Sequence, residues 1–296
     1  MPGAETPASS GVLRRVLGRY LRGQRNQARL TTKVAARMLE WSEPKLWRVE
    51  TGQTVLRGLD VAAMCTVYGA PAEVTAALAG LARQARVDSQ WHPRGDTVPG
   101  KFSVYDELEN EAAELLGYAC CQVPALLRTG AYARTLLTDA RPGTGPDEVD
   151  RLVAECVGRQ ALVTRASAPL AATVILSEAV VRGPVGGAEV MAEQLRHLAG
   201  LAALPNVRVH VIPLSAGMHP GVVTGPFTLF RFPLDGHGEG TDPDTVWVSS
   251  LSGELYLDSP PEVRPYRDAH AAMLDCALDQ VASQDLLLIV AKELQQ

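Results

Sequence analysis

The chain's 296 residues are 46% hydrophobic and 21% charged at a mean hydropathy near zero, which sets two soluble domains as the starting expectation. No apolar run reaches the ~18 residues of a membrane span, and MPGAETPASSG lacks the basic start and apolar stretch of a secretion signal, so a cytoplasmic chain is expected. The formal net charge of −5 hides an asymmetry: residues 11–57 hold eleven Arg or Lys against three acids, while residues 91–296 hold fifteen against twenty-six. The basic end suits a polyanion and the acidic end would be repelled by one.

Residues 1–10 read as a disordered tail, and 11–88 as a helical domain. Leu13, Val16, Leu17, Tyr20 and Leu21 share one helical face, with arginines around them. Thr31 is placed to cap a second helix, in which Val34, Ala35, Met38 and Leu39 recur at helical spacing. Ser42 is placed to cap a third, with Pro44 in its first turn and Gly52 after its last. Two further helices are expected near 58–68 and 71–86, giving five. The stretch DSQWHPRGDTVPGK has no apolar period and marks a connector at 89–102; its Arg94-Gly95-Asp96 tripeptide is read as chance.

Residues 103–296 read as an α+β domain with a mixed or antiparallel sheet of about five strands packed by helices. Helices are expected at 105–118, around 125–137 and from Pro146 to about 164. Strand-like runs follow: AATVIL, VRVHVIP, FTLFRF, TVWVSS and ELYL. A helix near 190–202 between the first two implies a βα crossover, and helices at 263–281 and 283–294 close the chain. Cys120 and Cys121 read as two small apolar residues on a helix. The five cysteines match no zinc spacing, so no metal or cofactor is expected.

The second and third helices carry the chemistry. In a helix-turn-helix the second helix of the pair enters the major groove. With Leu46 and Val49 facing inward, Glu43, Pro44, Lys45, Trp47 and Arg48 are left outward. Lys45 and Arg48, three apart, are candidates to reach bases or phosphates together, and Arg48 is the candidate base contact. Thr31, Thr32 and Lys33 sit at a helix start suited to a phosphate. Thr31, Thr32, Lys33, Ser42, Glu43, Lys45, Trp47 and Arg48 are therefore the candidate DNA-binding residues, with double-stranded DNA the expected partner. One short helix reads few bases, so a homodimer on paired half-sites is expected.

KVAARMLEWSEPKLWRVETGQ resembles the helix-turn-helix of the Xre/Cro-like regulators, with Ala35, Leu39, Ser42, Leu46, Val49, Glu50 and Gly52 at the matching positions. The resemblance implies that Glu50 makes an internal ion pair with an arginine of the first helix, Arg22 or Arg25. Two positions depart from the pattern: Glu40 stands where glycine is usual in the turn, and Trp47 replaces a small polar residue on the groove face. Beyond the connector, the order of YDELENEAAELLGYACCQVPALLRTGAYARTLL, GRQALV, SEAVVR and GELYL is similar to the carboxy-terminal domain of the WhiJ-like regulators of actinomycetes, and the resemblance spans about 11–294. It implies a cytoplasmic transcription regulator often encoded beside a small acidic partner protein, sometimes antitoxin-like. Ser249 stands where members commonly have Glu.

No nucleophile elbow, HExxH, P-loop or dinucleotide fingerprint occurs, and no enzymatic activity is expected. His210, inside VRVHVIP, reads as a satisfied sheet histidine. His219, in a Gly/Pro-rich loop, is a candidate ligand or partner contact together with Ser249. Glu178 and Arg182 read as a local ion pair. Two functions stand open: a dimeric regulator whose second domain senses, dimerises or binds a partner, and an antitoxin-like protein that restrains a small partner and autoregulates its operon.

Overall fold

The computed structural model describes residues 11–86, the backbone of 91–93, and residues 103–234, 236, 238 and 240–296. The expected tail and the Arg94-Gly95-Asp96 tripeptide lie outside the described residues. The chain divides into two compact units. One joins the residues up to Glu111 with Pro243–Val263; the other joins Ala112–Asp242 with Arg264–Gln296.

The first unit begins with five helices: α1 (Val12–Gln27), α2 (Thr32–Met38), α3 (Glu43–Glu50), α4 (Gly58–Tyr68) and α5 (Ala72–Gln84). Their apolar faces close on one core containing Leu13, Val16, Leu17, Leu21, Leu46, Val49, Val61, Met64 and Leu78, all at most 2% exposed. Each such side chain contributes about 1.5–3 kcal/mol over leaving it in water. Within the expected connector, Trp91–Pro93 form a short strand, β1; its neighbours lie outside the described residues. α6 (Val104–Glu111) follows.

The second unit opens with β2 (Glu114–Ala119). A 3₁₀ turn at Ala125–Leu127 leads to α7 (Gly130–Ala140), α8 (Pro146–Gly158) and α9 (Ala161–Thr164). β3 (Ala171–Ser177), α10 (Glu178–Arg182), α11 (Ala188–Leu201) and β4 (Val207–Ile212) come next, then α12 (Pro220–Thr224) and β5 (Phe227–Arg231). β6 (Thr245–Ser249) and β7 (Gly253–Leu257) return to the first unit, where β7 lies antiparallel between β1 and β6. α13 (Pro260–Cys276) and α14 (Gln280–Glu293) end the chain.

In the second unit the strands run β5-β2-β3-β4. β2 is antiparallel to β5 and parallel to β3, and β3 is parallel to β4 through the α11 crossover. The expected fold class, a five-helix domain followed by a mixed α+β domain, is therefore the observed one. The expectation of one helix over 105–118 is corrected. α6 stops at Glu111, and Glu114–Ala119 is a central strand whose last three residues are all buried. A strand flanked on both edges and covered on both faces shows no polar alternation, which is what made ELLGYA resemble a helix. Cys120 and Cys121 accordingly sit just past a strand end and not on a helix. The expected helix from Pro146 to 164 is also interrupted after Gly158.

Side chains alternate across this sheet. Leu115, Ala172, Val174, Val207 and Val209 are buried on one face. On the opposite face the same rungs carry Glu114, Leu116, Thr173, Arg208 and His210.

Candidate nucleic-acid interface

The helix pair α2–α3 is set by local chemistry. Thr31 Oγ1 accepts from the Val34 amide at 3.3 Å and Ser42 Oγ from the Lys45 amide at 3.3 Å, so both helices start at a side-chain cap. Pro44 occupies the first turn of α3. Between the helices, Glu40 takes φ 55, the left-handed region expected from its position in the turn. The Trp41 amide then reaches the Ala36 carbonyl at 2.8 Å and closes the end of α2. Holding a non-glycine residue there costs about 1 kcal/mol.

α1 fixes how far α3 stands out. Gly18 lies against the α3 backbone: a Cβ there would meet the Glu50 and Val49 carbonyl oxygens at 2.6 and 2.7 Å. Gly52, at φ 72, presses in the same way on the backbone of Arg15. Beside this crossing, Arg25 donates to both carboxylate oxygens of Glu50, at 2.6 and 2.8 Å, and to the Leu30 carbonyl at 2.8 Å. Arg25 is 8% and Glu50 5% exposed. The hydrogen bonds it donates to Glu50 hold the Arg25 guanidinium protonated more firmly than usual. Of the two arginines that the resemblance offered as partners, the structure selects Arg25. The pair joins the last turn of α1 to the last turn of α3 and leaves the opposite face of α3 outward.

That face carries the candidates. Glu43, Pro44, Trp47 and Arg48 are exposed, and Trp47 keeps 55% of its surface open to solvent. Lys45 bends back, its Nζ 3.7 Å from the centre of the Trp41 ring, a cation–π contact that holds it beside the α2–α3 turn. Thr31 and Lys33 are exposed and Thr32 half-buried at the start of α2. Arg29, Arg37 and Met38 add further exposed side chains on and just before α2.

The positive charge of the sequence is not all available to a ligand. Arg15 pairs with Asp258 at 3.0 Å and Arg19 with Glu107 at 3.1 Å, both within the first unit. Asp258 also accepts from the Gly11 amide at 3.0 Å, a carboxylate on the open start of α1 where the helix dipole favours it. Burial pushes the Glu107 carboxyl up, and Arg19 works against that shift. These pairs went unseen in the sequence because both acids lie beyond the connector.

The two remaining candidates sit elsewhere. His219, in the second unit, caps α12 by accepting the Gly221 amide on Nδ1 at 3.2 Å, and its ring meets Tyr118 edge-on at 5.8 Å. Gly221 is packed so closely that a Cβ would fall 2.5 Å from the Tyr118 ring. Ser249 ends β6 opposite Glu254 of β7. Glu178 and Arg182 form their local pair at 2.6 Å, as the sequence implied.

No helix among the described residues is long and apolar enough to cross a membrane. Comparison with known families matches residues 16–78 to a helix-turn-helix domain, spanning α2, α3 and the crossing with α1. A second match, residues 102–288, is to a domain of unknown function, DUF5753. Neither the curated proteins nor the solved structures yield a match. The amino-terminal helices thus form a DNA-binding domain of the helix-turn-helix regulator type, and with nearly two thirds of its length matched, this chain belongs to the DUF5753 family.

Proposed function

We propose that the protein is a cytoplasmic, sequence-specific transcription regulator of the WhiJ-like kind, acting as a homodimer on double-stranded DNA. One observation carries the reading: the outer face of α3 presents Trp47 and Arg48 to solvent while its inner face is tied to α1 by the Arg25–Glu50 pair. A helix held in this way can enter a major groove without repacking. Arg48 then reaches a base edge, Trp47 lies against sugar or a thymine methyl, and Lys33 with the start of α2 meets phosphate. Dimerisation supplies the second half-site. The outer stripe of α14, with Val281, Leu288 and Ile289 from 45 to 70% exposed, supports a self-association surface.

The test is binding of the purified chain to DNA from its own promoter, against scrambled DNA, at two salt concentrations. Specific binding that weakens steeply with salt is expected. Arg48→Ala should cost about 1–3 kcal/mol and relax selectivity at one base pair; Lys33→Ala should weaken all sequences alike and lower the salt slope by about one. If neither variant changes affinity, α3 is not the reading helix.

A second reading has its own support. Leu214, Met218, Val222 and Val223 are each at least 60% exposed around the His219 cap, an apolar patch suited to a small partner protein. On this antitoxin-like reading the second unit restrains that partner and DNA binding serves autoregulation. Co-expression with the product of a small neighbouring reading frame, with Met218→Glu as the disrupting variant, tests it.

A further inference from the structure

The second unit contains an open cleft of about 300 Å³ between one face of its sheet and α13. Its floor is the polar face of β2, β3 and β4, where Glu114, Thr173, Arg208 and His210 replace the apolar residues found on the other side. Its roof is one face of α13, since Arg267, His270, Ala271 and Leu274 recur at helical spacing. Glu114 and Thr173 lie on central strands and Arg208 and His210 on the edge strand β4, so α13 faces polar side chains where an ordinary core would set apolar ones. Their grouping here marks a place built around something polar.

The charges say which sign it has. Glu114, the one acid in the lining, is already paired with Arg231 at 2.6 Å. Arg208 and Arg267 are exposed at the rim, and among the described residues neither has an acidic partner. Deeper in, His210 gives its Nδ1 proton to the Leu278 carbonyl at 3.0 Å, because a carbonyl can only accept. That leaves its Nε2 as the free ring nitrogen. His270 is 2% exposed, and its Nε2 has no hydrogen-bond partner. Leaving a buried imidazole nitrogen unpaired is unfavourable. Leu116, Ala271 and Leu274 supply apolar wall beside these groups. The residues do not suit a cation: His210, His270 and Glu114 do not converge as metal ligands, and no such trio occurs among the described residues.

We propose that this cleft binds a small organic carboxylate. Its carboxylate lies between the Arg208 and Arg267 guanidiniums, whose forked donors match two oxygens, and its apolar body lies along Leu116 and Leu274. A polar substituent at its far end reaches His210 Nε2. The size of the cleft, at the lower end of ligand pockets, restricts it to a small metabolite. This gives the second unit the sensing role that the sequence left open beside dimerisation and partner binding, and rests on the proposed DNA-binding function only for its consequence at DNA, not for binding itself.

The experiment is calorimetric titration and thermal melting of the full chain with benzoate and with succinate as probes, using benzamide and sodium chloride at matched ionic strength as controls. At least one carboxylate should bind saturably below about 10 mM and raise the melting temperature, with benzamide inert. Arg208→Gln and Arg267→Gln, both at exposed positions, should each weaken binding about tenfold or more while melting as the parent does in the absence of probe. Absence of saturable binding by either carboxylate overturns the proposal, as does equal binding by benzamide or by the two variants. Promoter affinity measured with and without the bound probe then separates the two claims: binding with unaltered promoter affinity leaves the site standing and removes its sensing role.

Discussion

In the first unit three arginines that the fold covers are matched: Arg25 with Glu50, both buried, and Arg15 with Asp258 and Arg19 with Glu107, part-buried. In the second unit, Arg208, Arg267 and the Nε2 of His270 surround a cleft without such partners. Matched pairs hold backbone in place, and here they hold α3 at a set height above α1. Unmatched donors keep their full potential for a molecule that is not part of the chain. Arginine is thus structural at Arg15, Arg19 and Arg25 and ligand-directed at Arg208 and Arg267, and the partner within hydrogen-bond reach tells the two groups apart.

The comparison is broken most forcefully at Glu50. Glu50→Ala strands a buried guanidinium and should destabilise the first unit by about 3–5 kcal/mol. Amide exchange should then show α1 and α3 opening while β2–β4 stay protected; simultaneous loss in both units would mean they melt as one. Gly18→Ala comes next, at about 1–3 kcal/mol, because the added methyl meets two carbonyl oxygens of α3. Promoter affinity should fall with it, as measured by titration, whereas binding of benzoate by the second unit should not. Glu40→Gly should act in the other direction and raise the first unit's stability by about 0.5–1 kcal/mol, visible as a small rise in its unfolding midpoint.

The smallest effect separates the units by pH. Burial lowers the pKa of His270, against the pull of the Thr173 and Gly117 carbonyls and Glu114, and burial also lowers that of His197. Both histidines lie in the second unit. Their folded values lie below the unfolded one, so the stability they contribute is present above about pH 6.5 and is lost as pH falls from there through the folded values. Exchange rates in the second unit should rise over that window before those of α1–α5 do. Equal acid sensitivity in both units would count against the assignment.

How much of this was legible in the sequence depended on how local the cause was. Thr31, Ser42, Pro44 and Gly52 act within one turn of their own helix, so the α2–α3 pair could be read from spacing alone. β4 was visible in VRVHVI because Val207, Val209 and Val211 alternate with polar residues. β2 was not, since its two neighbouring strands and two covered faces are properties of the fold and leave no period in ELLGYA. The Arg25–Glu50 pair came from resemblance, and geometry then chose between two arginines. The cleft was hidden for a different reason: Arg208 and His210 look like the wet side of a strand until α13, arriving far along the chain, places Arg267 and His270 above them.

One contact also sets an order in time. The carboxylate that closes the open start of α1 belongs to Asp258, 247 residues downstream of the Gly11 amide it accepts from. During synthesis at ~5–20 residues per second, α1–α5, complete at Gln84, would therefore wait about 9–35 s for the residue that completes their amino-terminal edge. A nascent chain that has not yet reached Asp258 carries α3 without that clasp. The DNA-binding domain is synthesised ahead of the second unit, yet it is completed only after most of that unit has been made.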